Sequence, residues 1–228
     1  MSTETDASDF EIRLRQTREQ YRRKDIGDRL SDLARQMEET LLQKALAEAF
    51  FDTSFEVDPD AQEAVRSGRN ALMNGNYGRL NEQLDDIQRE VEDAKRRVEN
   101  NIQPARLSNL ERVQAMQRLN ERVERVDPER LGALESLLDD WNWRGHVEVG
   151  NEPFEEALRE AREGGEDLRY VYEELQEELF GPYRDTEIWP IVESLLDDER
   201  LTYGSLTDEE RRLLAESDLS EYVELTLS

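Results

Sequence analysis

The chain has 228 residues, 56 acidic against 30 basic side chains, a formal net charge of −26 and 36% hydrophobic residues. That is length for one domain or two small ones, but too little apolar material for large buried layers. Cysteine is absent, which excludes disulfides, thiolate nucleophiles, zinc–sulfur sites and iron–sulfur clusters.

Lysine occurs only at Lys24, Lys44 and Lys95, so nearly all the basic residues are arginine. Acid excess with scarce lysine reads as adaptation to high intracellular salt. Such a charge repels itself at ordinary ionic strength, and the repulsion fades in salt of about 1 M, where the Debye length is about 3 Å. Residues 1–9 are polar and acidic and lack the apolar stretch of a signal peptide. The richest apolar run, Leu41–Phe51, is interrupted by Gln43, Lys44 and Glu48, short of the roughly 18 apolar residues of a membrane span. The expectation is a cytoplasmic protein with no membrane contact.

Residues 9–51 predict one long helix or two in series, with Phe10, Leu14, Tyr21, Ile26, Leu30, Leu33, Met37 and Leu41 forming its apolar ladder and Gly27 its weak point. A loop follows at 52–57. Asp58-Pro59 caps and opens a short helix to Met73, and Asn74-Gly75-Asn76 breaks the pattern.

Tyr77, Leu80, Leu84, Ile87, Val91, Ala94 and Val98 then alternate spacings of three and four among polar residues, a heptad seam. Pro104 and the capping-box pattern Ser108-Asn109-Leu110-Glu111 predict a short link, followed by a second helix through Leu110, Val113, Met116, Leu119, Val123 and Val126. The two halves of 77–126 would form an antiparallel coiled-coil-like hairpin. The seam would close inside the chain or against a second copy, making a homo-oligomer possible through it.

Asp127-Pro128 starts a helix to Trp141 carrying Leu131, Leu134, Leu137 and Leu138. Residues 141–153 are irregular. Helices are predicted over 153–163 and 166–180, with Gly164-Gly165 between them and Gly181-Pro182 as the stop. Ile188–Asp198 is a further helix, and Thr207-Asp208-Glu209-Glu210 is a capping box before another. Tyr222–Leu227 alternates as a terminal strand that could pair with His146–Val149 in a minimal two-stranded β element.

Residues 1–126 hold 26 acidic and 21 basic residues, whereas 127–228 hold 30 and 9. This asymmetry places a boundary near Asp127. On one side lie the N-terminal long helices and hairpin; on the other lies a smaller acidic helical C-terminal region. The fold class is mainly α, an elongated helical protein.

The parts that catalysis needs are scarce. His146 is the one histidine, which excludes paired-histidine zinc sites and the duplicated Glu-x-x-His of di-iron bundles. No lysine sits in a phosphate-cradling loop, Gly75 and Gly78 make no dinucleotide fingerprint, and Gly204-Ser205 makes no nucleophile elbow. Glu174 and Glu178 fall one turn apart and could attract magnesium, but with 56 acidic residues such pairs arise without a site.

Residues 10–29 contain Arg13, Arg15, Arg18, Arg22, Arg23, Lys24 and Arg29 against four acidic residues. A helix would put Arg15, Arg18 and Arg22 on one face, where they could meet phosphates, an acidic protein surface, or the acidic half of the same chain. Molar salt weakens phosphate binding steeply. Arg106, Arg112, Arg118, Arg122 and Arg125 form a second concentration. A helix-turn-helix reading of 188–216 fails because residues 186–228 carry 12 acidic and 3 basic residues, repelling DNA. Trp141, Trp143 and Trp189 are candidate aromatic anchors for a partner, or plugs between helices.

The expectation is a non-catalytic adaptor, scaffold or regulatory subunit with no cofactor and no metal. It would work by protein–protein contact with a partner that the sequence does not identify. The alternative is a nucleic-acid-associated accessory protein using the Arg-rich first helix, and a carboxylate-only metal enzyme stands third.

Overall fold

The computed structural model describes residues 3–57, 59–141, 143, 153–196, 206–217 and 219. Over these residues the protein is all-α, with seven helices. They are α1 (Thr3–Phe51), α2 (Pro59–Met73), α3 (Tyr77–Val123), α4 (Pro128–Asp140), α5 (Phe154–Arg184), α6 (Trp189–Leu196) and α7 (Asp208–Ala215). No described helix is long and apolar enough to cross a membrane. The expected pairing of His146–Val149 with Tyr222–Leu227 lies outside the described residues, as does Asp58.

The chain forms two compact units. One comprises residues 1–44 and 55–100, the other 45–54 and 101–228.

In the first unit, the ladder Ile26, Leu30, Leu33, Ala34 and Met37 of α1 meets Ala61 and Val65 of α2 and Leu80, Leu84, Ile87, Val91 and Ala94 of α3. The heptad seam is therefore filled from inside this unit. Leu80, Leu84 and Val91 are wholly buried, and each such side chain contributes about 1.5–3 kcal/mol of burial. Arg23 lies over the Tyr77 ring at 5.0 Å and Arg29 meets Asp85 at 3.1 Å, so α1 and α3 run in the same direction. Glu38 pairs with Arg69 at 2.7 Å, and Gly68 faces Leu30 and Ile87, so α2 returns between them. A Cβ on Gly68 would stand 2.9 Å from both of those side chains, which is why glycine occupies the point where three helices converge.

The second unit's core draws Phe50 from α1; Leu110, Val113, Met116 and Leu119 from α3; and Leu131, Leu134, Leu137 and Leu138 from α4. Tyr172, Leu175, Leu179 and Phe180 of α5, Ile191 and Val192 of α6 and Leu214 of α7 complete it.

The breaks expected at Pro104, Gly164-Gly165 and Gly181-Pro182 are absent. Helix α3 continues through Pro104, so the hairpin link predicted there does not form. A mid-helix proline forfeits one hydrogen bond and crowds the preceding turn, at about 3 kcal/mol. Here Pro104 and Asn100, whose carbonyl loses its partner, both face water, while Ile102 and Leu110 keep the buried stripe going. The Ser108 capping-box pattern opens no helix, and Asn109 beside it donates from Nδ2 to the Ala105 carbonyl at 2.8 Å within α3. The chain reverses after Val123, and the antiparallel neighbours are the second part of α3 and α4, joined by Gln114 and Gln117 to Glu135 at 3.1 and 2.8 Å.

Helix α5 likewise continues through Gly164-Gly165 and Gly181-Pro182. Gly165 packs directly on the α1 backbone at Leu46 and Phe50, so it marks a close helix crossing and not an end. Gly27 does not break α1 either.

Other local signals act as read. Asp127 caps α4, accepting from Glu129 N at 2.9 Å with Pro128 in the first turn. Thr207 and Glu210 form the reciprocal capping box of α7. Gly75 takes a φ of 70° in the turn between α2 and α3.

Candidate contact surfaces

Helix α1 is buried in the first unit only from Ile26 onward. From Arg13 to Asp25 every side chain is exposed, so this stretch has no inner face. Among its apolar residues, Leu14 is 40% and Tyr21 71% exposed. Both belong to the apolar ladder expected for α1, and the structure takes them out of the core. The signal was present in the sequence. From Tyr21 to Ile26 the step is five residues, which at about 100° per residue turns the apolar stripe well away from the face that Ile26, Leu30 and Leu33 bury.

The six candidate basic residues Arg13, Arg15, Arg18, Arg22, Arg23 and Lys24 all lie in this exposed stretch. Arg23 is engaged, donating to Glu19 at 3.1 Å and covering Tyr77. Arg15, Arg18 and Arg22 share one helix face, and with Arg13 and Lys24 they form no ion pair with another described residue.

In the second arginine concentration, Arg106 and Arg125 are held inside their own unit. Arg106 donates to the carbonyls of Leu138 and Asp139 at 3.3 and 2.6 Å, closing the C-terminal end of α4, where a cation opposes the helix dipole. Arg125 donates to the Leu179 carbonyl at 3.2 Å and stacks on Tyr183 at 4.6 Å. Arg112 and Arg118 are also engaged.

The seven seam residues stay together on α3, with Leu80, Leu84, Ile87, Val91, Ala94 and Val98 buried and Tyr77 half-buried. The tryptophans sit in the second unit. Trp143 is buried, and Trp189 and Trp141 pack against the core. Trp141 adopts a left-handed φ of 45° at the end of α4 and stacks on Phe51, with ring centroids 5.3 Å apart. His146 lies outside the described residues.

Glu174 and Glu178 are not a free carboxylate pair, since Arg130 reaches both. That contact raises the Arg130 pKa, chiefly through its hydrogen bond to Glu174. Burial pushes the Tyr172 phenol up, with the Arg112 cation opposing the shift. A groove of about 600 Å³ lies beside the α3–α4 reversal, lined by Gln117, Asn120, Glu121, Glu124, Val126 and Leu131. The Asn120 amide, its most buried polar group, already bonds Arg125 N, Val126 N and Val126 O.

No family model matches this chain, and no curated protein or solved structure does so either.

Proposed function

We propose that the protein is a non-catalytic helical adaptor or regulatory subunit of a high-salt cytoplasm, acting through contact with another protein. The observation that carries this reading is the segment from Arg13 to Asp25, exposed on every side and rich in basic residues without described partners. A helix in water gains little stability by itself and draws most of it from packing. A stretch that, apart from Arg23 over the Tyr77 ring, packs on nothing described in its own unit is organised to be packed by something else.

The expected coiled-coil seam supports a different role from the one its pattern suggested. Buried in its own unit, it serves as the rigid base from which the exposed part of α1 extends. The acidic C-terminal region offers a second contact surface, on which Tyr170 stands 67% exposed among the carboxylates of α5.

A second reading rests on Arg15, Arg18 and Arg22. Three arginines on one face suit a phosphate backbone, so an accessory protein of nucleic acid is the alternative.

Affinity capture of the tagged chain from native extract in about 2 M KCl, where exposed charges are screened, separates the two. A stoichiometric protein partner that survives nuclease and is lost with Arg15→Glu/Arg22→Glu supports the adaptor. Retention that disappears with nuclease transfers the assignment to nucleic acid. Turnover abolished by chelation, with no complex formed, would sink both.

A further inference from the structure

The exposed stretch of α1 carries an apolar line with cations along both of its edges. Leu14 and Tyr21 stand seven residues apart, 40% and 71% exposed, and at about 100° per residue they share one line on the helix. By the same count Arg18, Arg22 and Arg15 lie about 50–110° to one side of that line, and Lys24 and Arg13 about 70–90° to the other. Among the described residues none of these five cations has an ion-pair partner, and residues 13–25 hold six basic against two acidic side chains.

Apolar anchors seven residues apart with charged flanks are the contact pattern of one helix laid along another. The sign of the flanks decides which helix fits. A second copy of the same stretch would set arginine against arginine in either direction, because both edges are cationic. Helix α5 of this chain lacks the matching stripe, since Tyr170 is its one exposed large apolar residue. Around that ring Glu163, Glu173, Glu174 and Glu177 already meet arginines of their own unit. A nucleic-acid duplex fits the cations but not the line between them. Base edges are polar and are read by side chains that donate or accept hydrogen bonds, whereas the centre of this surface offers Leu14. Contacts to phosphate alone would leave Leu14 and Tyr21 in water and would weaken steeply with salt.

We infer that the stretch Arg13–Asp25 docks an acidic amphipathic helix of another protein. Apolar residues of that helix cover Leu14 and Tyr21, and its glutamates or aspartates meet Arg18 and Arg22 along one edge and Arg13 and Lys24 along the other. This rests on the adaptor reading and adds to it the chemistry of the partner. The apolar pair supplies the part of the contact that salt does not screen, and the two cationic edges supply the choice of partner.

The test uses the purified full-length chain and a fluorescein-labelled synthetic helix of three heptads, with leucine at the first and fourth positions of each and glutamate on both flanks. A second peptide with lysine in place of every glutamate, and a labelled DNA duplex, are compared with it by anisotropy in about 0.3 M KCl, where the Debye length is about 6 Å. The glutamate peptide should bind tighter than the lysine peptide by about tenfold or more. Leu14→Ala/Tyr21→Ala should weaken its binding by about tenfold or more, the usual scale for interface anchors. Arg13→Glu/Arg18→Glu/Arg22→Glu should reverse the preference, so that the lysine peptide binds better. All these positions are exposed, so circular dichroism should show unchanged helix content in both variants. A carbodiimide, which joins an ammonium to a carboxylate, should couple the glutamate peptide to Lys24 and not to the exposed Lys95 of α3.

Equal binding of the two peptides overturns the inference. So does binding that ignores Leu14→Ala/Tyr21→Ala, coupling at Lys95 in place of Lys24, or a duplex that binds where the glutamate peptide does not. A chain that captures a protein from native extract but refuses the glutamate peptide would sink this inference and leave the adaptor reading standing. One that binds the glutamate peptide through Leu14 and Tyr21 and captures no protein would do the reverse.

Discussion

Gly165 of α5 lies against Ala49 of α1 so closely that a Cβ placed on the glycine would fall 2.7 Å from the alanine Cβ, with the Phe50 nitrogen 3.1 Å away. The obstacles include backbone, which cannot swing aside. Gly165→Ala should therefore lower stability by about 1–3 kcal/mol, the cost of overpacking, read as a reduced urea midpoint. Gly132 of α4 has nothing within 4 Å of the same position. Gly132→Ala should be neutral or raise stability by up to about 1 kcal/mol, because alanine is the better helix former. Equal effects at the two sites would contradict the crossing.

Asn120 is 4% exposed and holds the reversal after α3 with three bonds. Its Oδ1 accepts from Arg125 N at 3.0 Å and Val126 N at 2.9 Å, and its Nδ2 donates to Val126 O at 2.7 Å. Asn120→Ala strands buried backbone groups, each at about 1–3 kcal/mol. A loss of about 2–4 kcal/mol in chemical denaturation is expected. Asn120→Asp should also be destabilising, since a carboxylate cannot donate to the Val126 carbonyl. Retained stability in the alanine variant would remove the side chain from this role.

Leucines at similar helix spacing should behave oppositely in the two stretches. Leu84 is wholly buried in the first unit, and Leu84→Ala should cost about 2–5 kcal/mol. Leu14 is 40% exposed, and Leu14→Ala should change the stability of the isolated chain by less than about 0.5 kcal/mol while weakening the binding of an acidic helix. Thermal melts of both variants, run beside the peptide titration, decide whether the apolar stripe of the first 25 residues is core or contact.

Acid should loosen α7 through Glu210. The Thr207 amide donates to this carboxylate at 2.6 Å and the Thr207 hydroxyl at 2.7 Å, which holds its pKa below the usual 4.5. A depressed carboxylate contributes stability above its unfolded pKa and loses it as pH falls through the folded value. The cap should therefore be intact at neutral pH and open only below pH 4.5, the ordinary value for a glutamate. A carbon-detected NMR titration should place the Glu210 midpoint below 4.5, and Thr207→Ala, which removes the hydroxyl but keeps the amide donor, should raise it part of the way back. A midpoint unmoved by Thr207→Ala would contradict the box.

Local chemistry was legible wherever the deciding atoms are neighbours in sequence. Asp127-Pro128, Thr207 to Glu210 and the Gly75 turn are closed by atoms within three residues of each other, so their pattern is their mechanism. The core ladders Ile26 to Met37 and Leu80 to Ala94 were legible too, because a stripe of spacing three and four has one solution in an amphipathic helix. The arginine cluster at 13–24 was found as composition, and its exposure is what gives it meaning.

What the sequence by itself determined is an all-α chain, the apolar stripes and caps of its helices, and the surfeit of negative charge. Only the tertiary structure decided which stripe is core and where the chain turns. Pro104, Gly164-Gly165 and Gly181-Pro182 are breakers by local energy. Yet the roughly 3 kcal/mol that a mid-helix proline forfeits is smaller than the burial supplied by stripes that continue on both sides, and Gly165 lets two backbones approach as no larger residue could. The Leu14–Tyr21 stripe has the same spacing as the seam at Leu80 to Val98, and it lies outside the core because no helix of its own unit packs along it. Local preference sets which residues share a face; only packing between distant segments settles whether that face meets protein or water.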